Sequence, residues 1–145
     1  MIGLAGLLVA ASLPFVGAHL RGARENRCNW DGLQIEPVYK VLIVEPASPP
    51  LQFCCVSCAE RWLERVSIPS GRILVTDEVS RGRLEAANAH YVRSAVVTNV
   101  TTGNRIHVFR SAVDAKAHAD SAMGRILAGS ELPFKITGLT ESESP

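Results

Sequence analysis

A strand, a serine and a helix recur in the second half of this chain at an offset of 54 positions (111 − 57). In the first half, Ser57-Cys58-Ala59-Glu60 matches a capping box, in which the serine hydroxyl takes the N–H three residues on and the acid reaches back. In the second half, Ser111-Ala112-Val113-Asp114 opens a helix in the same way. The offset also lays the apolar run 38–44 on 92–98 with no gap. A repeat of this length implies two copies of one supersecondary unit packed on each other. In the first copy, "VYKVLIV" reads as a strand, "EPASPP" breaks it, and "LQFCC" reads as a second strand. A helix then runs from Cys58 to about Val66, with Ala59, Trp62, Leu63 and Val66 on its apolar face, and "RILVTDE" is a third strand. In the second copy, "YVRSAVVTNV" and "RIHVF" are strands around a "TTGN" turn. Its helix shows Ala112, Ala115, Ala119 and Met123 on one face. The predicted fold is α+β, two tandem β-β-α-β units over 28–80 and 86–136, joined by "SRGRLEAANAH" and followed by a loose polar tail, 137–145.

With 47% hydrophobic residues, the chain can build a core. A net charge of +1 offers no nucleic-acid surface, and its few aromatics form no stacking ladder. No Gly-rich phosphate loop, Gly-x-Ser-x-Gly elbow or His-Glu-x-x-His motif is present. Residues 1–20, "MIGLAGLLVAASLPFVGAHL", carry no charged side chain. They read as a signal peptide or membrane anchor, with Val16-Gly17-Ala18 as small residues fit for cleavage. Arg21, Arg24 and Arg27 follow the run and none precedes it, an asymmetry that for an uncleaved anchor would leave the rest of the chain in the cytoplasm. Export to the periplasm, cleaved or anchored, is the expectation.

Three of the four cysteines fall within "FCCVSC". Under the repeat, Phe53-Cys54-Cys55 lies over His107-Val108-Phe109, so the second copy folds without thiols and the first does not need them for its fold. Unpaired N–H groups and the helix dipole at a helix start favour thiolate, the form that binds metal or attacks disulfides. Cys54 and Cys55 are neighbours on a strand, so their side chains point opposite ways. Cys58 is expected to act with one of the pair, and with Cys28 from the N-terminal segment. Four chemistries compete: burial as small hydrophobes, disulfides, a redox Cys55-Val56-Ser57-Cys58 pair, and metal. Metal is the leading reading, with Cys28, Cys54, Cys55 and Cys58 as candidate ligands. Zinc wants four closed ligands, whereas copper(I) is content with a sparse thiolate set. Copper(I) is therefore expected, with zinc as the alternative.

Other residues admit plainer readings. His90, His107 and His118 are expected to be structural, with His118 solvated on its helix face. Asp77-Glu78 is either a strand-end turn or an acidic cleft pair. Asn99-Val100-Thr101 fits a glycosylation sequon. Trp30 either packs on the body or shields Cys28.

The stretches "CNWDGLQIEP", "FCCVSCAERWL", "ILVTDE", "AANAHYVRS" and "GNRIHVFRSAVDAKAHA", in this order, resemble the nitrous-oxide reductase accessory protein NosL family. The resemblance spans residues 28 to about 134. It implies two β-β-α-β units related to organomercurial lyase, and an exported, non-enzymatic copper(I) chaperone whose recipient is a copper enzyme such as nitrous-oxide reductase. Family members open with Cys-x-x-Cys-Gly-Met. Here Cys28 and Gly32 match, while Asp31 and Leu33 stand at the second cysteine and the methionine. The family's Pro-Met-Gly turn reads Thr101-Thr102-Gly103. The cysteine spacing also resembles TRASH/YHS-type heavy-metal domains. Two other classes stay open: an enzyme, either a thiol oxidoreductase or an organometal lyase with Asp77 as proton donor, and a disulfide- or zinc-stabilised binding module.

Overall fold

The computed structural model describes residues 26–66 and 71–134. The N-terminal apolar run and the 137–145 tail lie outside them. Among the described residues, seven strands form two antiparallel sheets. Strands β1 (Val41–Val44), β2 (Leu51–Phe53), β3 (Arg72–Thr76) and β4 (Arg83–Glu85) make the first, in the order β2-β1-β3-β4. Strands β5 (His90–Arg93), β6 (Ile106–Phe109) and β7 (Arg125–Ile126) make the second, in the order β6-β5-β7. Helix α1 (Val56–Leu63) follows β2, and α2 (Ala112–Ser121) follows β6. Each half therefore runs strand, strand, helix, strand, and the first-arriving strand is central in β2-β1-β3 as in β6-β5-β7.

The repeat is topological but not gapless. Residues 95–98, which the offset of 54 lays on the whole of β1, form no strand; β5 ends at Arg93. The reason is the connection: residues 45–50 join β1 to β2, whereas the longer 94–105 joins β5 to β6. "SRGRLEAANAH" is also more than a joint, because it supplies β4 to the first sheet.

Alternation along the strands places the core. Val41, Ile43, Phe53 and Val75 from the first sheet and Tyr91, Ile106 and Val108 from the second share one buried cluster. Strand β6 is buried on both faces. Ile106 and Val108 enter the shared core, and the alternate Phe109 packs with Val92 under Ala115 and Ala119 of α2. The edge of β6 is closed by the turn after β3: the Glu78 N–H donates to the Val108 carbonyl (3.0 Å), and its carboxylate accepts from the Val108 N–H (3.1 Å). Closing an edge in this way satisfies backbone groups that would otherwise invite another chain.

Helix α2 begins as its sequence predicts, with the Ser111 hydroxyl accepting from the Val113 N–H at 3.1 Å. Its end differs. Met123 is 86% exposed and adopts a left-handed φ of 49°. The Gly124 N–H reaches back to the Ala119 carbonyl at 2.8 Å, closing a Schellman turn. Gly124 is needed one position later, because a Cβ there would lie 3.0 Å from the Arg93 carbonyl oxygen and from Val92 Cγ1. Met123 thus takes the left-handed position and leaves the apolar stripe, as does Ala112, which is exposed.

Helix α1 departs further from expectation. Strand β2 stops at Phe53, Cys55 is the N-cap, and the helix begins at Val56, so Cys58 is its third residue. No capping box forms. Ser57 lies inside the helix, and its hydroxyl donates to Asn104 Oδ1 (2.7 Å); Glu60 instead accepts the Phe134 N–H at 3.4 Å. Of the predicted apolar face, Ala59 is fully buried, Trp62 and Leu63 are partly buried against the core, and Val66 is exposed. Among the described residues no helix is long and apolar enough to cross a membrane.

Candidate metal centre

Cys28 reaches the cysteine cluster because its loop docks on the open edge of β2. The Asn29 N–H donates to the Gln52 carbonyl (2.8 Å), and the Asn29 side-chain oxygen accepts from the Gln52 N–H (2.7 Å). The loop then folds back on itself. Gly32 takes a left-handed φ of 72°, the Cys28 N–H donates to the Leu33 carbonyl (2.8 Å), and Asp31 Oδ1 accepts the Leu33 N–H (3.0 Å). This turn presents Cys28 and Asp31 on the same side. Opposite them, the chain turns from β2 into α1 and presents Cys54 and Cys58.

The thiols of Cys28, Cys54 and Cys58 and a carboxylate oxygen of Asp31 all lie within 4.8 Å of one another. Cys54 Sγ and Cys58 Sγ are 3.4 Å apart. Asp31 Oδ2 is 3.2 Å from Cys58 Sγ and 3.5 Å from Cys54 Sγ. The three cysteines are buried and Asp31 is half-buried, so the cluster meets solvent on the Asp31 side. No disulfide joins the four cysteines.

Cys55, the fourth candidate, borders the cluster through Cys54 and Cys58 without joining its donor set. Its sulfur lies 3.5 Å from the Thr102 hydroxyl, outside the four-donor set. The divergence of Cys54 and Cys55 comes from the bend after Phe53 and the helix N-cap, not from a continuing strand.

The second unit covers the centre through the 94–105 connection. Asn99 Nδ2 donates to Cys54 Sγ at 3.0 Å, while Asn99 Oδ1 accepts the Thr102 N–H at 3.0 Å. The Asn99 amide of the sequon is thus engaged in the cluster. Gly103, with φ 66°, lets the chain turn here, and Asn104 caps α1. The site is therefore built from both halves of the fold.

Neighbouring thiols do not ionise independently. Hydrogen bonds from Cys54 and then Cys58 hold the Cys28 thiol well below its ordinary range, despite burial. Cys58 is pushed far up, first by its hydrogen bond to Cys28 and then by those to Cys54 and Cys55. A metal ion held here would take the place of the protons that the raised thiols keep.

Asp31 is the residue that sequence reasoning passed over as a lost ligand. Its signal was its place: three residues after Cys28, beside Gly32, where the resembled family has a cysteine. Trp30 is partly buried against the core, with the Arg65 guanidinium 4.4 Å from its ring centre.

The remaining candidates are structural. Asp77 is buried and accepts N–H groups from Ser80 (2.9 Å) and Arg110 (3.0 Å), as well as the Ser80 hydroxyl. Burial opposes its charge, but the Ser80 and Arg110 hydrogen bonds outweigh it and keep the carboxyl below its usual range. Asp77 is thus a bracket between the sheets and lies outside the sulfur cluster. His107 is buried and paired to Glu78. His118 is half-buried: its ring packs 4.2 Å from that of His107 and 5.1 Å from Phe109. His90 is exposed.

No family model matches the sequence, and no curated protein matches it. The fold resembles the crystal structure of the copper chaperone NosL from Shewanella denitrificans. The match covers 76% of this chain and 91% of that one, with a TM-score of 0.63 and 16% identity. The α+β fold of paired β-β-α-β units is that of the NosL structure.

Proposed function

We propose that this chain is an exported copper(I)-binding metallochaperone that passes its ion to a copper-receiving enzyme. The observation that carries this reading is the convergence of three buried thiols, Cys28, Cys54 and Cys58, at one point of a NosL-like fold. Three thiolates are a soft donor set, and copper(I) prefers such donors to oxygen or imidazole. Asp31 stands on the solvent side and binds a soft ion weakly. That leaves a coordination position where an incoming thiolate can join before a resident one departs. Copper thereby moves by ligand substitution without leaving as a free ion. Export rests on the uncharged run 1–20, and nitrous-oxide reductase is the recipient that the sequence resemblance implies.

The test is the rate of copper arrival at a thiol-bearing acceptor, measured against acceptor concentration. A rate that rises with acceptor supports direct handover. A flat rate equal to spontaneous release makes the protein a copper store, and the chaperone reading falls.

A further inference from the structure

We infer that His107 is a positioning residue for the metal centre: its imidazolium pins the 94–105 connection over the sulfur cluster, and loss of that proton frees the connection. Its bearing on metal transfer rests on the cluster being a metal site, as proposed above. The latch itself is a property of the metal-free chain.

The contacts run unbroken from the ring to the sulfurs. His107 stands on β6, 1% exposed, opposite Val92 of β5. Its Nδ1 lies 2.9 Å from Glu78 Oε2, and its Nε2 lies 3.2 Å from the Val96 carbonyl oxygen. Val96 belongs to the stretch that leads to Asn99, whose Nδ2 donates to Cys54 Sγ at 3.0 Å. Side-chain packing holds this stretch weakly, because Val96 is 46% and Val97 39% exposed. Hydrogen bonds fix its ends: the Ala95 N–H donates to the Ala122 carbonyl at 3.0 Å, and the Thr98 N–H to the Asn104 carbonyl at 2.8 Å. Between those ends, the Val96 carbonyl turns inward to His107.

The imidazolium donates to both acceptors, whereas the neutral ring has one N–H for two. The Glu78 carboxylate, as the charged acceptor, keeps that N–H. Nε2 then turns a lone pair toward the Val96 oxygen, and the contact becomes repulsive. Val96 moves out to water, and Asn99 is drawn off Cys54 with it. The titratable groups against the ring are Glu78 from the turn after β3 and His118 from α2, with Tyr39 beyond Glu78. Burial opposes the His107 charge and a charged His118 would do the same, yet Glu78 prevails and raises the His107 pKa. The pin is therefore complete below the ordinary value of 6.5 and is lost as pH rises through the raised one.

The experiment follows amide exchange by NMR in the reduced, metal-free full chain across neutral pH, with the His107 ring protons reporting its titration. Protection is corrected for the intrinsic pH dependence of exchange. At Thr98 and Thr102 it is expected to fall at least about fivefold as His107 loses its proton, while Leu74 in the first sheet changes less than about twofold. The Asn99 side-chain amide signals are expected to shift with the same midpoint. Glu78→Gln should abolish the step: the amide can donate to Nδ1, so a neutral ring keeps its Nε2–H for Val96 and protection stays high. Protection at Thr98 that ignores the His107 titration, an equal fall at Leu74, or a step that survives in Glu78→Gln would overturn the latch. Movement at Thr98 without the Asn99 signals would overturn its reach to the metal centre. Failure of the same protein to bind copper(I) would overturn the metal-site reading instead, which separates the two.

Discussion

Asn104, in the second half of the chain, supplies the cap that helix α1 lacks. Its Oδ1 accepts the Ser57 N–H at 3.3 Å and the Ser57 hydroxyl at 2.7 Å, while its Nδ2 donates to the Ile106 carbonyl at 3.1 Å. Asn104 is 2% exposed, so these groups have no water to fall back on. Asn104→Ala should cost about 2 kcal/mol or more, since it strands buried polar partners; Ser57→Ala, which removes only one of them, should cost about 1 kcal/mol. Denaturant unfolding of both variants and the double mutant measures the coupling. Additive losses would show that the contact does not join the two halves energetically.

This relationship explains what the sequence made legible and what it hid. The Ser111 cap of α2 is local: hydroxyl and acceptor N–H groups lie within three residues, so pattern reading finds it. The start of α1 depends on a side chain 47 positions away, whereas a serine three residues before a glutamate has the local pattern of a capping box. The cysteines drew notice by their density, and Asp31 did not. A single aspartate before a glycine reads as a turn, which it also makes. Its approach to Cys58 needs the 28–34 loop to dock on the edge of β2 through Asn29, and no local pattern encodes that contact. The gapless repeat failed for a related reason: connection length is free to vary while strand order is kept.

The donor set separates the four cysteines. Cys28→Ser, Cys54→Ser and Cys58→Ser should each weaken copper(I) binding about tenfold or more, on the order of 1.4 kcal/mol. Cys55→Ser should cost less, about threefold, because that sulfur borders Cys54 and Cys58 but lies outside the donor set. Competition against a copper(I) chelator checks this. Equal losses for Cys54→Ser and Cys55→Ser would contradict the cluster.

Asn99 tunes the centre without joining it. Its amide N–H group stabilises charge on Cys54 Sγ, as partners of metal ligands generally do. Asn99→Asp keeps the oxygen that accepts from Thr102 but sets a carboxylate against a thiolate. Copper(I) affinity should fall about tenfold with little change in the unfolding midpoint. If affinity holds while the midpoint drops, Asn99 serves the loop alone.

His107 gives stability a pH dependence whose sign follows from its partners. The ring is buried, with Nδ1 2.9 Å from Glu78 Oε2 and Nε2 3.2 Å from the Val96 carbonyl oxygen. Both nitrogens face acceptors, which only the imidazolium satisfies with two N–H groups. Burial works against the charge, yet the hydrogen bond and charge of Glu78 prevail and raise the pKa above its ordinary 6.5. The neighbouring His118 ring, 4.2 Å away, is shifted down by burial first and by the His107 charge second, opposite to His107. A group whose pKa is higher folded than unfolded stabilises fully below the unfolded value, and that stability fades as pH rises through the folded value. The protein should therefore lose stability as pH climbs from about 6.5 through the raised His107 value. Glu78→Gln should flatten this limb, because the amide keeps the shape but not the charge. Urea midpoints across that range, for wild type and variant, decide it. A wild-type midpoint that is flat or rises with pH would show that the ring is buried neutral and that Glu78 does not hold its proton.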